Sequence, residues 1–453
     1  MEFLSNITKC TPRCSVVSSN IVDGKVTTEE LEELINSKWL KAKEQIYPEL
    51  TQYLDSWMGF MFWKPDLRFN LKHHLKSHTI VGRNDQEVEE NVCNFVQDLL
   101  NSPYYPKRSP WEVSVINNYK NELLSKECVN GELSLVVFRF HHSLGDGFST
   151  LKAITGLFDK SLPEICLPSM KQLGITSWWK RLFFCITLPL RMLYDSFNLA
   201  YLAIMQSSPL QVPDLNKSKR MFCQRLPLIP IENIKTLKNR LGVSFTTVLL
   251  TGLATGLAKA MYRLDIETKQ TNRPNSLRRK TTPFVTLLPL PGHPNKLRNH
   301  FTFTILELPT KLEMESQQRL KMISSILKTA RQNTIPLLIV FLLRAIGSLP
   351  PVMTKLFRRH LGTPVGLTNF PGPGIEMEVT GKKVLVADFV VGTQGLSGVG
   401  FMVFSFRNHI RITATVEEAV MDKSAANQML EYIAEEFDNL NELSKKSEVQ
   451  FKN

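Results

Sequence analysis

The chain has 453 residues, which is too long for one ordinary hydrophobic core, so two domains of similar size are expected. Hydrophobic residues make up 43% and aromatic residues 9%, a composition that excludes an intrinsically disordered chain. The net charge of +13 suits anionic lipid, a phosphorylated ligand or nucleic acid. No nucleic-acid-binding motif is visible, so the first two partners are favoured.

Cysteine usage and the N-terminal sequence bear on the compartment. The seven cysteines are scattered and form neither a disulfide framework nor a metal-ligand spacing. A reducing, cytosol-facing compartment is therefore expected. The first residues lack a basic segment followed by an apolar run, so no signal peptide is predicted.

The N-terminal half contains three well-marked elements. Thr27 and Glu30 have the spacing of a capping box and predict the start of a helix. Apolar residues at helical spacing predict a second helix over 86–100. The apolar run from Leu133 to Phe140, with glycine and polar residues on both sides, predicts a buried strand.

The most informative motif follows that strand directly. The residues after Phe140 read His-His-Ser-Leu-Gly-Asp-Gly, which is HHxxxDG. A neutral imidazole at the end of a strand is able to take a proton from a hydroxyl near neutral pH. Asp146, four residues after His142, is expected to brace the turn, and the glycines permit its tight backbone. A metal site is the weaker alternative, because no third ligand lies at a fixed offset.

Two apolar segments stand out further along the chain. Segment 177–205 is aromatic and apolar but interrupted by charges, and its uncharged stretches are shorter than the roughly 20 residues that cross a bilayer. It fits equally a helix in the lipid headgroup layer and a helix packed at a domain junction. Segment 333–343 is expected to be a buried helix or the wall of an acyl tunnel. The basic segment 265–282 is expected to be a solvated loop, or else a contact to anionic lipid or to ligand phosphates.

Proline-punctuated residues 161–219 are predicted to link two domains, an N-terminal one at 1–160 and a C-terminal one at 220–453. The linker carries the amphipathic helix just described. The second domain is predicted to begin with a helix over 245–262 and to end with a helix over 424–443. Five strands are predicted between these helices, at 284–288, 301–308, 383–390, 400–406 and 410–416.

Five segments in order give the chain a family resemblance. The segment VVFRFHHSLGDGFS resembles the active-site motif of the wax ester synthase/acyl-CoA:diacylglycerol acyltransferase family. That family belongs to the CoA-dependent acyltransferases that share an HxxxDG signature. The family's FDLxxH segment resembles FNLKHH (69–74), and its PLWE segment resembles SPWE (109–112). The family's GATVNDVVL segment resembles GVSFTTVLL (242–250), and its SNVPGP segment resembles TNFPGP (368–373).

The resemblance implies a fold and a reaction. The fold is an α/β, two-domain, chloramphenicol acetyltransferase-like sandwich with the site in a channel between domains. The reaction moves a long-chain acyl group from acyl-CoA to a long-chain alcohol or diacylglycerol, with His142 as general base and Asp146 and Gly147 shaping its turn. His141 is expected to orient the site.

Substrate contacts are expected from Trp111, Thr246 and Asn369, with Glu112 either structural or on the acceptor side. The family's Asn-Asp pair is Thr246-Thr247 here, which places rate and substrate choice in question. No metal and no cofactor are expected, because acyl-CoA is a substrate. Expected partners are acyl-CoA, its acceptor and a membrane or lipid-droplet surface, but not nucleic acid. The expected location is the cytosol-facing endoplasmic reticulum or a lipid droplet.

Two alternatives remain at this point. One is a catalytically weak member of the family that binds acyl lipids. The other is an acyltransferase that acts on a small polar acceptor. The apolar segments at 182–190 and 335–343 favour a lipid acceptor over a polar one.

Overall fold

A computed structural model describes most of the chain. It covers residues 14–40, 47–58, 60–121, 131–158, 177–205, 220–268, 281–349, 364–393 and 397–450, with the single residues 124, 210 and 353. Most of the predicted basic loop, and much of the predicted linker, lie outside these residues.

Six strands form the first sheet. They are β1 (Ser15–Asp23), β4 (Leu75–Thr79), β5 (Trp111–Tyr119), β6 (Leu133–His141), β12 (Glu378–Val379) and β13 (Lys382–Val391), and β2 (Gln52–Trp57) and β3 (Phe60–Pro65) form a separate hairpin. The strand order in this sheet is β12-β13-β1-β6-β5-β4, and the β4–β5 pair is parallel. The sheet therefore contains two strands from the predicted C-terminal domain, which the sequence did not indicate.

The second sheet is built from the C-terminal half of the chain. Its strands are β7 (Met221–Arg225), β8 (Ile229–Pro230), β9 (Thr281–Pro289), β10 (Phe301–Pro309), β11 (Val365–Pro371), β14 (Val399–Phe406) and β15 (His409–Glu417). The order is β10-β9-β11-β14-β15-β7, and β8 also pairs with β15. Strand β11 is parallel to both of its neighbours.

Helices cover the sheets and flank them. They are α1 (Thr28–Ile35), α2 (Asp85–Asn101), α3 (Gly147–Leu157), α4 (Trp178–Met205), α5 (Ile231–Arg240), α6 (Phe245–Thr268), α7 (Ser316–Ala330), α8 (Ile335–Gly347) and α9 (Lys423–Gln450). The predicted capping box at Thr27 and Glu30 is present. Among the described residues, no single helix is long and apolar enough to cross a membrane, although two bent pairs of helices meet that test together.

Strand β6 is buried along its whole length because both faces of the first sheet are covered. Val136, Phe138 and Phe140 lie in one hydrophobic core, whereas Leu135 and Val137 lie in the core on the opposite face. This double burial explains the almost continuous apolar run before the histidines. It also fixes the end of β6, and with it the position of the HHxxxDG turn.

Segment 333–343 is buried on one face only, and its alternative role as the wall of an acyl tunnel stays a prediction. Ile335 and Ile339 of α8 are buried, but Leu337 is 49% exposed and Phe341 is 61% exposed. Helix α8 therefore turns one apolar face inward and another outward. Apolar composition alone does not distinguish such a helix from a buried one.

Candidate active site

The HHxxxDG residues form the turn between β6 and α3. Strand β6 ends at His141, and Asp146 is the N-cap of α3, where its side chain accepts a hydrogen bond from Ser149 N. Gly147 is the first residue of the helix. A Cβ atom at Gly145 would lie 2.2 Å from Ser149 Oγ and 3.2 Å from Arg298 N, so this close approach requires glycine.

His142 is buried and held by a residue from the other half of the chain. Its Nδ1 lies 2.9 Å from Asn299 Oδ1, and Asn299 Nδ2 donates to the His142 carbonyl oxygen at 2.8 Å. The second bond fixes the orientation of the amide, so Oδ1 is the atom that faces the ring. An amide oxygen only accepts, so Nδ1 carries the proton and Nε2 is the basic nitrogen of the neutral ring.

Burial lowers the pKa of His142 below its ordinary value. The negative charge of Asp146 and the hydrogen bond with Asn299 oppose that effect only in part. Protonation of a ring with little access to water costs free energy that these partners do not recover. The imidazole is therefore neutral at pH 7, in the state that a general base requires.

Asp146 connects the turn to the second half of the chain. Its carboxylate accepts hydrogen bonds from Ser149 N at 2.8 Å, from His300 N at 2.7 Å and from His293 Nε2 at 3.1 Å. Burial alone would raise the pKa of Asp146, but His293 and the two backbone N–H groups lower it overall. The carboxylate therefore remains ionised and connects the turn to His293 and His300, and its bracing role stays a prediction.

Sequence reasoning missed the segment that faces the motif, residues 291–301. This segment leads into β10 and supplies His293, Asn299 and His300, while the Arg298 carbonyl accepts from Asp146 N and from Ser149 Oγ. Phe301 meets the His142 ring edge-on, with 5.9 Å between ring centroids. The only local signal is a group of polar residues before a predicted strand, which is too common to mark a site.

His141 lies in different surroundings from His142. Its Nδ1 is 2.8 Å from Ser143 Oγ, and its ring meets the Tyr104 ring edge-on at 5.4 Å. Arg139 lies over the Tyr104 ring, with its guanidinium carbon 3.9 Å from the ring centroid. These contacts surround His141 with packed side chains, and its orienting role stays a prediction.

The Trp111-Glu112 pair lies at the start of β5 in the first sheet. Trp111 is buried, stacks on His74 at 4.4 Å and donates from Nε1 to the Leu50 carbonyl oxygen. Glu112 stands opposite Arg139 in the β5–β6 pair and forms a buried ion pair with it at 2.7 Å. Glu112 thus neutralises the one charged residue in β6, which is a structural role. A substrate contact by Trp111 stays a prediction.

Thr246 and Asn369 are both half-buried in the second half of the chain. Thr246 lies in the first turn of α6, where the neighbouring Thr247 N–H donates to Ser244 Oγ at 3.0 Å. Asn369 lies in β11, paired with Val403 of β14. Substrate binding by either residue stays a prediction. Among the described residues, no three His, Cys, Asp or Glu side chains are grouped to hold a metal ion.

The lowered pKa of His142 leads to a prediction about pH. Turnover should fall only as the pH drops through that lowered pKa, so the acid limb of kcat/KM should lie below the ordinary histidine value of about 6.5. In Asn299→Asp, a carboxylate beside Nδ1 favours the imidazolium, and the limb should move up by about one pH unit. A pH profile of each enzyme measures both effects.

Asn295→Asp is the matched control for that variant, since Asn295 is exposed in the same segment and gains the same charge. Its profile should equal that of the wild type. A wild-type limb at or above pH 6.5, or an Asn299→Asp limb that does not move, would contradict the assignment of His142 as the titrating base.

The architecture defines the fold. The chain has two mixed sheets. The HHxxxDG turn follows β6 of the first sheet and contacts the segment that leads into β10 of the second sheet. This is the two-domain fold of chloramphenicol acetyltransferase-like acyltransferases. The structure superimposes on the wax ester synthase/diacylglycerol acyltransferase from Marinobacter aquaeolei VT8 with a TM-score of 0.64, at 15% identity, covering 98% of each chain. The fold predicted from the sequence is confirmed.

Sequence comparisons show which proteins with this fold the chain resembles. Residues 297–441 match the WS/DGAT C-terminal domain. The chain is 26% identical to wax ester synthase/diacylglycerol acyltransferase 3 of Arabidopsis thaliana, over 47% of this chain and 45% of that relative, which is less than half its length. It is 23% identical to wax ester synthase/diacylglycerol acyltransferase 7 of the same plant, over 69% of this chain and 72% of that relative. The C-terminal part of the chain therefore matches the WS/DGAT C-terminal domain, and the chain is similar to wax ester synthases/diacylglycerol acyltransferases.

Proposed function

We infer that the chain transfers a long-chain acyl group from acyl-CoA to the hydroxyl of a long-chain alcohol or of diacylglycerol, with His142 as the general base. The observation that supports this most directly is the Asn299 clamp, which holds the imidazole with its proton on Nδ1. A base poised in this way needs an acceptor hydroxyl within about 3 Å of Nε2.

The reaction follows from that arrangement. Nε2 takes the proton of the acceptor hydroxyl while its oxygen attacks the thioester carbonyl carbon, so that a C–O bond forms and the carbonyl oxygen becomes an oxyanion. Collapse of this intermediate breaks the C–S bond, and the departing CoA sulfur receives the proton from the imidazolium. No acyl-enzyme is needed, and the two substrates held side by side gain much of the rate from proximity.

Both proposed substrates partition into lipid, so we place the reaction at a cytosol-facing lipid surface, either the endoplasmic reticulum or a lipid droplet. An acceptor that is small and polar would need no such surface. The relatives named above are called wax ester synthases/diacylglycerol acyltransferases, and this name supports the lipid acceptors for the present chain.

The test is ester formation by purified protein from labelled palmitoyl-CoA. Hexadecanol, diacylglycerol and a small polar alcohol are supplied in parallel reactions. We expect label in wax ester, in triacylglycerol or in both, and little in the ester of the polar alcohol. No product from either lipid, in a folded protein that still binds acyl-CoA, would favour the lipid-binding alternative. Product from the polar alcohol alone would name the other acceptor class.

A further inference from the structure

Helix α4 has its apolar side on the outside. Along its described length, the large apolar side chains on the exposed face are Trp178, Trp179, Leu182, Phe183, Ile186, Leu190, Leu193, Tyr194, Phe197 and Tyr201. The side toward the protein carries Asp195, which is buried, and Arg191, whose guanidinium lies 5.2 Å from the centre of the Phe184 ring. A helix that faces water shows the opposite arrangement.

A buried carboxylate fixes this orientation. Asp195 accepts hydrogen bonds from Thr334 N and Thr334 Oγ1, both at 2.6 Å, at the start of α8. Leu199 of α4 packs with Ile335 and Ile339 of α8 in a small shared core. Rotating α4 to hide its apolar face would break both bonds to Asp195 and leave a charge buried without partners, at substantial cost.

Helix α8 extends the same exposed apolar surface. Leu337 and Phe341, four residues apart, point away from the core that Ile335 and Ile339 share with α4. We define the docking face as the exposed apolar side chains of α4 and α8. Soluble monomers rarely expose so many contiguous large apolar side chains without a partner.

We propose that the docking face binds the surface of an anionic phospholipid membrane, with α4 lying in the plane of the headgroups. The helix of 28 residues is about 42 Å long, so the face is far larger than a small ligand would cover. Tryptophan and tyrosine are the side chains that settle at the membrane–water interface. The net charge of +13 adds attraction to anionic lipid.

The experiment is flotation of the full-length protein with phosphatidylcholine vesicles that contain phosphatidylserine. The test variant carries Phe183→Glu, Leu190→Glu and Phe197→Glu, whose positions are spaced by seven residues along the exposed face. We expect its vesicle-bound to free ratio to fall at least tenfold. The control variant carries Leu67→Glu, Val81→Glu and Ile375→Glu, which add the same charge at other exposed apolar positions, and it should bind within twofold of wild type.

Each outcome bears on the docking face alone, because flotation does not require turnover. Equal binding of the test variant and the wild type would overturn the proposal, and so would a wild type that binds no vesicles. Size-exclusion chromatography measures the oligomeric state of both proteins. A dimeric wild type together with a monomeric test variant would show that the docking face binds a second copy of the chain, and it would overturn the proposal. All six positions are exposed, so an unchanged melting temperature shows that each variant is folded. Turnover of palmitoyl-CoA and hexadecanol dispersed without vesicles should also be unchanged, which separates this proposal from the proposed reaction.

Discussion

Replacing His142 with alanine is expected to lower turnover about 1000-fold, within the range that a positioned general base contributes. The alanine side chain has no nitrogen to accept the proton of the acceptor hydroxyl. The hydroxyl must then attack the thioester carbonyl while it is still protonated. Held substrates retain the rate that comes from proximity, so the loss should stop short of the uncatalysed rate. The measurement is release of CoA thiol together with ester product in purified protein.

Two further variants make this result specific. His142→Gln keeps a polar side chain in the turn but supplies no base, so its turnover should fall to the level of His142→Ala. His73→Ala removes an exposed histidine outside the motif, and its turnover should stay at the wild-type value. Full activity in folded His142→Ala protein would rule out the mechanism and leave the base to be found elsewhere.

Binding of acyl-CoA separates a catalytic role from a structural one. The proposed base acts on the acceptor hydroxyl, so the Kd of His142→Ala for acyl-CoA should stay within a few fold of the wild-type value. A protein that only binds acyl lipids would show no turnover to lose in the first place. A variant that lost turnover and acyl-CoA affinity together, with a lowered melting temperature, would indicate damage to the fold.

Local patterns in the sequence predicted the part of the site that lies on one continuous segment. The run Leu133 to Phe140 predicted β6, and His142 and Asp146 follow from it at fixed positions. The Thr27–Glu30 capping box and the helical spacing over 86–100 were equally local, and the structure confirms both.

Contacts between distant segments were not predictable in this way. Asn299 meets His142 across 157 positions of sequence, and its role depends on how the two domains pack. Strand β13 joins the first sheet beside β1, where Val16 pairs with Val391, although it lies within the second half of the chain. Apolar periodicity shows that such a strand is buried, but it carries no information about which sheet contains it.

Replacing Asp146 with alanine is expected to lower the free energy of unfolding by about 3 to 5 kcal/mol, because Ser149 N, His300 N and His293 Nε2 all lose a buried, charged acceptor. For a chain of this size the melting temperature should fall by roughly 3 to 5 °C. Turnover should fall as well, since His300 N anchors the residue beside Asn299. Thermal denaturation and the ester assay measure the two effects.

Two other substitutions separate the helix cap from the bridge between domains. Asp422 caps the exposed start of α9 by accepting from Ala425 N at 2.7 Å, so Asp422→Ala loses only a cap, about 1 kcal/mol. Asp146→Asn keeps the cap but turns an NH₂ group toward a second donor, either His300 N or His293 Nε2. The stability of this variant should lie between that of Asp146→Ala and that of Asp422→Ala. If Asp146→Ala melted like Asp422→Ala, the bridge to His300 and His293 would contribute nothing measurable.

The pH dependence of stability supplies a second test of that bridge. The pKa of Asp146 is lowered in the folded protein, so its contribution is fully present above the ordinary aspartate value of about 3.9 and is lost as the pH falls through the lowered value. The difference in stability between wild type and Asp146→Ala should therefore be constant near neutral pH and shrink under acid conditions. A difference that did not change with pH would mean that packing, rather than the charge of the carboxylate, links the two halves of the site.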